Sequence, residues 1–336
     1  MKRRMLGRTG MSVSDLALGT MMFGAMGNND GDESTRMIHS ALDAGINLVD
    51  TADVYSGGQS EEIVGQALKG RRQEVVLTTK FALPMGQDAN HSGGSRRWIT
   101  RAVEDSLRRL DTDYIDLYLM HRYDPDTDVD ETLSALSDLI RAGKLRAVGS
   151  SLFTAEQIVE AQWVADRRGH ERFRTEEPPY SILLRGIESE VLPAAQRYGM
   201  GVITFGPLSS GWLSGRDDPA AGNRASLGPG EFDLSDPRNQ AKLSAVDELN
   251  KLAAEAGMPL THLAMAFARS HPAVTSVLIG PRKPEHLRDL LAGANVELSG
   301  DVLDRIDEIV PPGANVNEND IYNVPSVLTS KHLRRR

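Results

Sequence analysis

Eight short apolar runs, each followed by a longer segment of mixed polarity, constrain this 336-residue chain more than any other feature. The runs are 16–20, 46–50, 74–80, 114–121, 145–151, 172–177, 201–206 and 274–280. Their length and their Val, Ile and Leu content suit strands buried on both faces. The segments between them carry helical spacing. From Ser60 to Lys69, Ser60 is placed to cap, and Ile63, Val64, Ala67 and Leu68 share one face. From Ile99 to Leu110, Val103, Leu107 and Leu110 align, and the pattern from Glu131 to Gly143 stops on glycine. Strands alternating with helices pair in parallel through right-handed crossovers. A single α/β domain over residues 1–336, closed as a (β/α)8 TIM barrel, is the simplest solution at this length, with a doubly wound sheet as its competitor.

The competitor lacks its fingerprints. Gly199-Met200-Gly201 and Gly228-Pro229-Gly230 fail at the third glycine of G-x-G-x-x-G, and Gly206 and Gly211 have P-loop spacing but are followed by Trp212. The segment Met5 to Met11, with Arg8-Thr9-Gly10 as its turn, reads as a hairpin that plugs the bottom of the barrel. Residues 82–95 and 211–238 lack periodicity and follow strands, so they are expected as extended loops on the catalytic face. Residues 311–327 are expected to fold back over that face.

Composition removes whole classes of chemistry. There is no cysteine, so disulfides, thiolate catalysis and cysteine-ligated metals are excluded. Motifs such as H-E-x-x-H do not occur, and no catalytic metal is expected. A net charge of −9 argues against nonspecific nucleic-acid binding. No apolar stretch approaches the roughly 18–20 residues needed to span a membrane. Met1 to Gly10 is too polar for a signal-peptide core, so the chain is read as cytoplasmic, and the basic run Lys331 to Arg336 as a solvated tail.

Four polar side chains carry the functional reading. Asp50, Lys80 and His121 each close one of the apolar runs, and Tyr55 lies five residues past the first. Strand ends of this kind gather catalytic groups in a parallel barrel. A tyrosine hydroxyl, with a reference pKa near 10, is a poor acid at neutral pH, and a nearby ammonium favours its phenolate. A carboxylate beside the lysine holds it charged. A histidine can orient a substrate oxygen or relay a proton. Together they suit proton delivery to an oxygen that is gaining charge, as when hydride adds to a carbonyl. The hydride must come from a cofactor.

The stretch Asp43 to Tyr55 with Ser60-Glu61 resembles the signature of the aldo-keto reductase superfamily. So do Thr79-Lys80, Asp116 to His121, Val148 to Ser151, Pro179-Tyr180-Ser181, Pro207 to Gly215 and Leu278 to Arg282. The resemblance implies a (β/α)8 barrel that reduces an aldehyde or ketone reversibly, with NADPH extended across the strand ends. It implies a tetrad of Asp50, Tyr55, Lys80 and His121, with Tyr55 as general acid, Lys80 depressing its pKa and His121 orienting the carbonyl.

By the same resemblance Ser150, Ser151 and Glu177 meet the nicotinamide carboxamide, and Gly19, Thr20 and Asp50 flank it. The ring-stacking aromatic is Phe205, or Tyr180 by a second alignment. Gly206, Pro207, Leu208, Ser210 and Gly211 meet the pyrophosphate. Arg282 meets the 2′-phosphate with Lys283 or His286 nearby, Asp289 lies near the adenine, and Ile279 and Gly280 are further cofactor contacts. Three positions depart from the usual pattern: Glu177 replaces glutamine, Ser151 replaces asparagine, and Asp289-Leu290 replaces a Glu-Asn pair.

Each feature has a plainer reading. Asp50 and Lys80 could be a structural ion pair, His121 a core histidine, Arg282-Lys283 a solvated loop, and Ser209-Ser210-Gly211 an ordinary turn. Met21, Met22, Phe23 and Met26 either line a pocket or fill the barrel top. Two other functions compete with reduction: a cofactor-binding subunit resembling potassium-channel β-subunits, and an isomerase of phosphorylated sugars. The loops leave the small-molecule carbonyl substrate and any homo-oligomer open.

Overall fold

A computed structural model of the chain describes residues 1–215, 231–320 and 322. The basic tail and parts of the expected loops, 216–230, 321 and 323–327, lie outside the described residues.

The eight runs form the barrel. They are β3 (Leu16–Gly19), β4 (Leu48–Asp50), β5 (Val76–Phe81), β6 (Ile115–Met120), β7 (Leu145–Ser151), β8 (Thr175–Glu177), β9 (Gly201–Thr204) and β10 (Ser276–Ile279). Neighbours pair in parallel in chain order, and β10 closes on β3. Ahead of them, β1 (Arg3–Met5) and β2 (Ser12–Ser14) make an antiparallel hairpin.

Helices cover the outside: α1 (Gly31–Asp43), α2 (Gln59–Ala67), α3 (Arg96–Leu110), α4 (Val129–Arg141), α5 (Ala155–Arg168), α6 (Val191–Tyr198), α7 (Pro237–Glu255), α8 (Leu260–Ser270), α9 (Pro284–Ala292) and α10 (Gly300–Ile309). Their ends follow local chemistry. Ser95 accepts from the Trp98 amide, and Thr154 with Gln157 forms a capping box at α5. None of the described helices is long and apolar enough to cross a membrane.

The expected cap at Ser60 is not found. Helix α2 starts one residue earlier, after Gly58 at φ 101°, and Ser60 is buried. Its hydroxyl donates to the Thr20 carbonyl at 2.9 Å and sits 3.0 Å from Thr51 Oγ1. Ser60 thereby ties the loop after β3 to the turn after β4.

Strand alternation sorts the apolar residues into two cores. Ala17, Leu48, Leu117, Leu119, Ala147, Ile203 and Leu278 fill the barrel interior with Leu6 and Val13 of the hairpin. Leu18, Val49, Leu77, Tyr118, Val148 and Val277 face outward beneath the helices. The hairpin closes the end from which the strands start. A Cβ on Gly7 would fall 2.4 Å from the Gly201 amide, so only glycine lets the hairpin lie against the head of β9. The barrel is sealed at that end, and its chemistry is confined to the other.

Gly149 of β7 faces the interior, where a Cβ would meet Thr175 Oγ1 at 2.1 Å and a Leu119 methyl at 2.6 Å. Gly149→Ala is expected to destabilise the fold by about 1–3 kcal/mol in urea unfolding. Gly300→Ala, where a Cβ meets nothing within 4 Å, is expected to be neutral or better. Equal effects at the two positions contradict this packing.

Candidate active site

The inward-facing register also builds the site. Two residues beyond Leu48 is Asp50, two beyond Leu119 is His121, and two beyond Ile203 is Phe205. Lys80, Ser151 and Glu177 hold the corresponding inward positions on β5, β7 and β8. Strands β4 to β9 thus each place a last inward side chain in one ring at the C-terminal mouth, while β3 and β10 bring the glycines Gly19 and Gly280 to the same level.

Lys80 is the centre of that ring and has no solvent exposure. Its ammonium Nζ lies 2.5 Å from Asp50 Oδ1, 3.2 Å from Glu177 Oε1 and 3.1 Å from the Thr51 carbonyl oxygen. It is 5.3 Å from the centre of the Tyr55 ring, which meets the His121 ring edge-on with centroids 5.7 Å apart. Two buried carboxyls thus share one ammonium, and among the described residues Asp50 Oδ2 and Glu177 Oε2 have no hydrogen-bond partner.

Burial pushes the Glu177 carboxyl well above the usual range, and the charge of Asp50 adds to the shift. Asp50 is raised by burial too, against the pull of Lys80. Burial opposes the Lys80 charge, yet the two carboxyls outweigh it and raise its pKa. One cation fully compensates one anion. Both carboxyls are therefore drawn toward their protonated forms, and a proton on Glu177 would give it the donor that a carboxylate lacks.

The expected net depression of the phenol is not found. Burial raises Tyr55 to about 12. Lys80 pulls downward, but Asp50 and Glu177 push back. Tyr55 is a buried phenol that keeps its proton at neutral pH. His121 goes the other way: burial, then Lys80 and Arg122, hold it well below its ordinary value, so its imidazole is neutral. A neutral ring can donate one hydrogen bond and accept another, and is not an acid at pH 7.

The backbone around the ring is strained. Ser56 follows Tyr55 at φ 51°, Ala82 comes two residues after Lys80 at φ 95°, and Leu152 follows Ser151 at φ 59°. Such residues cost about 1–3 kcal/mol each and persist where surrounding structure holds them.

A cavity of about 350 Å³ opens above the ring. Tyr55, His121, Asp50, Ser151, Glu177 and Phe205 line it, with Gly19 and Thr20. So do Met21, Met22 and Met26, whereas Phe23 is core. A second cavity of about 390 Å³ shares Met22, Gly206, Leu278, Ile279 and Gly280 with the first. It runs past Pro207, Leu208, Ser210 and Gly211 to Arg282, His286 and Asp289. The two make one continuous groove across the mouth.

Ser209 and Ser210 bend this groove's wall at φ 47° and 57°. Asp289 is partly engaged, since its Oδ2 accepts from Thr261 at 3.3 Å. An elongated cofactor with a carboxamide at one end and phosphates at the other fits this groove. The orphaned Glu177 Oε2 lies at the ring end and the Arg282 side chain at the far end.

Two expected contacts are not brought to the cavity. Ser150 points to the outer face of the sheet, where its hydroxyl donates to Glu176 Oε2 at 2.5 Å. The alternation that turns Ser151 inward turns Ser150 outward. Tyr180 is buried and donates to Glu188 Oε1 at 2.5 Å, leaving Phe205 as the aromatic on the cavity wall.

Sequence reasoning missed Val54, Leu83, Arg122 and Tyr322, all on the first cavity. Arg122 had a signal in its place directly after His121. Leu83 and Tyr322 fall in segments expected on the catalytic face, 82–95 and 311–327, and Val54 had no signal.

The chain belongs to the aldo/keto reductase family, whose model matches residues 15–311. It is thus an oxidoreductase that acts on carbonyl groups, and the family generally uses NAD(P)H. Among its relatives is the uncharacterized oxidoreductase YrpG of Bacillus subtilis (strain 168), 38% identical over 329 residues, 93% of this chain and 97% of that protein. The aldo-keto reductase YhdN of the same organism is 38% identical over 288 residues, 84% of this chain and 85% of that protein. A probable voltage-gated potassium channel subunit beta of Oryza sativa subsp. japonica is 37% identical over 324 residues, 92% and 97% respectively.

Behind the ring lies a further buried carboxyl. Asp53, two residues before Tyr55, has no side-chain partner for either oxygen among the described residues, and burial followed by the charge of Glu61 pushes it to about 8. Glu61 is itself held by Arg109 Nε and Thr79 Oγ1, each at 2.6 Å. A folded pKa of about 8 against an ordinary carboxyl value of 3.8 means the folded state binds this proton more tightly. Asp53 therefore disfavours folding progressively as pH rises from about 4 to about 8. Asp53→Asn is expected to gain stability over the parent chain at pH 8 relative to pH 5 in urea unfolding. The same difference at both pH values contradicts the shift.

Proposed function

We propose that the chain reduces an aldehyde or ketone to an alcohol with NADPH, reversibly, with residues 1–336 acting as one reductase barrel. The carrying observation is the buried Tyr55 phenol beside the Lys80–Asp50 pair, on the wall of a cavity that continues into the groove leading to Arg282.

In this reading Ser151 and Glu177 hold the nicotinamide carboxamide, with Glu177 protonated and able to donate as well as accept. Phe205 supplies the ring wall, with Gly19 and Thr20 beside it. The loop from Gly206 to Gly211 receives the pyrophosphate, Arg282 and His286 the 2′-phosphate, and Asp289 the adenine. Ile279 and Gly280 form the floor between the two cavities. The preference for NADPH over NADH rests on Arg282. Bound there, the cofactor supplies the hydride.

The chain's own residues manage the proton. Neutral His121 donates a hydrogen bond to the carbonyl oxygen and fixes its direction. Tyr55 gives up its proton as that oxygen becomes an alkoxide. Lys80, held charged by Asp50, stabilises the phenolate left behind. The apolar Met21, Met22 and Val54 keep water from the forming bond. Reduction uses the phenol, which persists up to about pH 12 in the free protein, so this group sets no alkaline limit near neutrality. Oxidation of the alcohol uses the phenolate, whose fraction grows about tenfold per pH unit below the pKa.

Tyr55→Phe is expected to lower turnover of an aldehyde with NADPH by about 10²–10⁴-fold. NADPH binding, followed by quenching of tryptophan fluorescence, is expected to change little. Unchanged turnover contradicts the assignment. In the parent chain, alcohol oxidation is expected to climb steadily from pH 7 to pH 9 while aldehyde reduction does not, and matching profiles contradict the state assigned to Tyr55. Oxidation of one equivalent of bound NADPH without further turnover favours a cofactor-binding subunit.

A further inference from the structure

We propose that Arg122 anchors an anionic group of the substrate, so that the site selects carbonyl compounds carrying a carboxylate on an apolar body. This rests on the reductase reading and names the substrate class for the same cavity.

Arg122 follows His121 at the end of β6 and lines the cavity with Tyr55. One guanidinium nitrogen, Nη1, donates to the His121 carbonyl oxygen at 2.8 Å, which fixes the base of the fork. Its other N–H groups have no hydrogen-bond partner, and no carboxylate forms an ion pair with it, among the described residues. Other buried cations among the described residues are paired. Lys80 has Asp50, Arg185 has Glu188 and Asp307, and Lys242 has Asp320. Arg122 thus presents a half-buried charge with no ion-pair partner among the described residues to the space where a substrate must sit. Burial depresses its pKa against the smaller upward pulls of Tyr55, Glu177 and Tyr322, a cost that a bound anion would relieve.

Cofactor phosphates do not account for this charge. In the closed strand order, β6 lies opposite β10, and the groove ending at Arg282 follows β9 and β10. Arg122 is therefore across the mouth from the phosphate end. What surrounds it on the near side is apolar: Met21, Met26, Val54 and Leu83. An occupant that satisfies both has a hydrophobic frame and one anionic head. The planar fork of arginine matches a carboxylate with two parallel hydrogen bonds. With the carbonyl oxygen at Tyr55 and His121, the adjacent Arg122 places the carboxylate at the other end of a short substrate.

The test compares 4-carboxybenzaldehyde with methyl 4-formylbenzoate, a neutral analogue of similar size, using NADPH. The parent chain is expected to favour the acid in kcat/KM by about tenfold or more. Arg122→Met is expected to bring that ratio close to one, mainly through KM, and Arg122→Lys to keep part of it. An unchanged ratio in Arg122→Met, or a parent preference for the ester, overturns the proposal. If neither aldehyde is reduced, the reductase reading has failed, and calorimetry on the NADP⁺-saturated protein decides the anchor separately. About tenfold weaker binding of 4-carboxybenzaldehyde by Arg122→Met supports it, and equal binding refutes it. Arg122→Lys provides the same comparison should the methionine variant not fold.

Discussion

A single buried ammonium, shared by two carboxyls, is the interaction on which the rest of the site depends. Lys80 reaches Asp50, Glu177 and the Thr51 carbonyl at once, joining β4, β5 and β8 across the barrel mouth. A charge with no solvent exposure is tolerated only when it is paired and hydrogen-bonded. Removing the lysine would leave two carboxyls that can stay buried only by taking up protons. Removing Asp50 would leave the ammonium with a carboxyl that burial favours as neutral. The arrangement also sets the electrostatics above it. Its ammonium opposes the rise in the Tyr55 pKa while its two carboxyls add to that rise, and the ammonium joins burial in keeping His121 uncharged.

Glu177 makes this ring different from one with a glutamine there. A glutamine adds a donor and an acceptor and no charge. A glutamate adds the same pair only while it holds a proton, and the partnerless Oε2 marks where that proton or a cofactor amide is needed. Its neighbour Glu176 shows how local the effect is. It too is raised by burial, to about 7, but it faces outward and accepts from Ser150 and the Phe153 amide. Adjacent glutamates on one short strand thus serve opposite faces, one toward the cavity and one locking the turn into α5.

Much of the fold was legible because its signal is local. Seven of the eight apolar runs contain their barrel strand and the run 74–80 falls one residue short of the end of β5, while Gly143 closes α4 at φ 77° as the pattern implies. Asp50, Tyr55, Lys80 and His121 could be singled out because strand ends in a parallel barrel converge on one face. Ser150 was misread, although strand alternation alone separates it from Ser151. The state of Tyr55 was not legible, because it depends on the balance between burial and three surrounding charges that only the closed barrel brings together. Arg122 and Leu83 were missed for a related reason. Loop residues gain meaning from what stands across the cavity, and no sequence spacing reports that distance.

The cofactor side and the substrate side of the mouth are built differently. The groove from β9 to β10 is shaped by backbone, with strained serines and glycines and a basic residue at its end. The β4 to β6 side is shaped by side chains, mostly apolar, with one fixed guanidinium. Tyr55 lies between them, and the proposed chemistry needs its phenolate to be stabilised by Lys80 at the moment hydride arrives. Single-turnover stopped flow on Lys80→Met preloaded with NADPH, mixed with an aldehyde, tests this most directly. The expected result is hydride transfer slowed about a hundredfold or more with cofactor affinity within a few-fold of the parent. Transfer at the parental rate would contradict the role given to the buried ammonium.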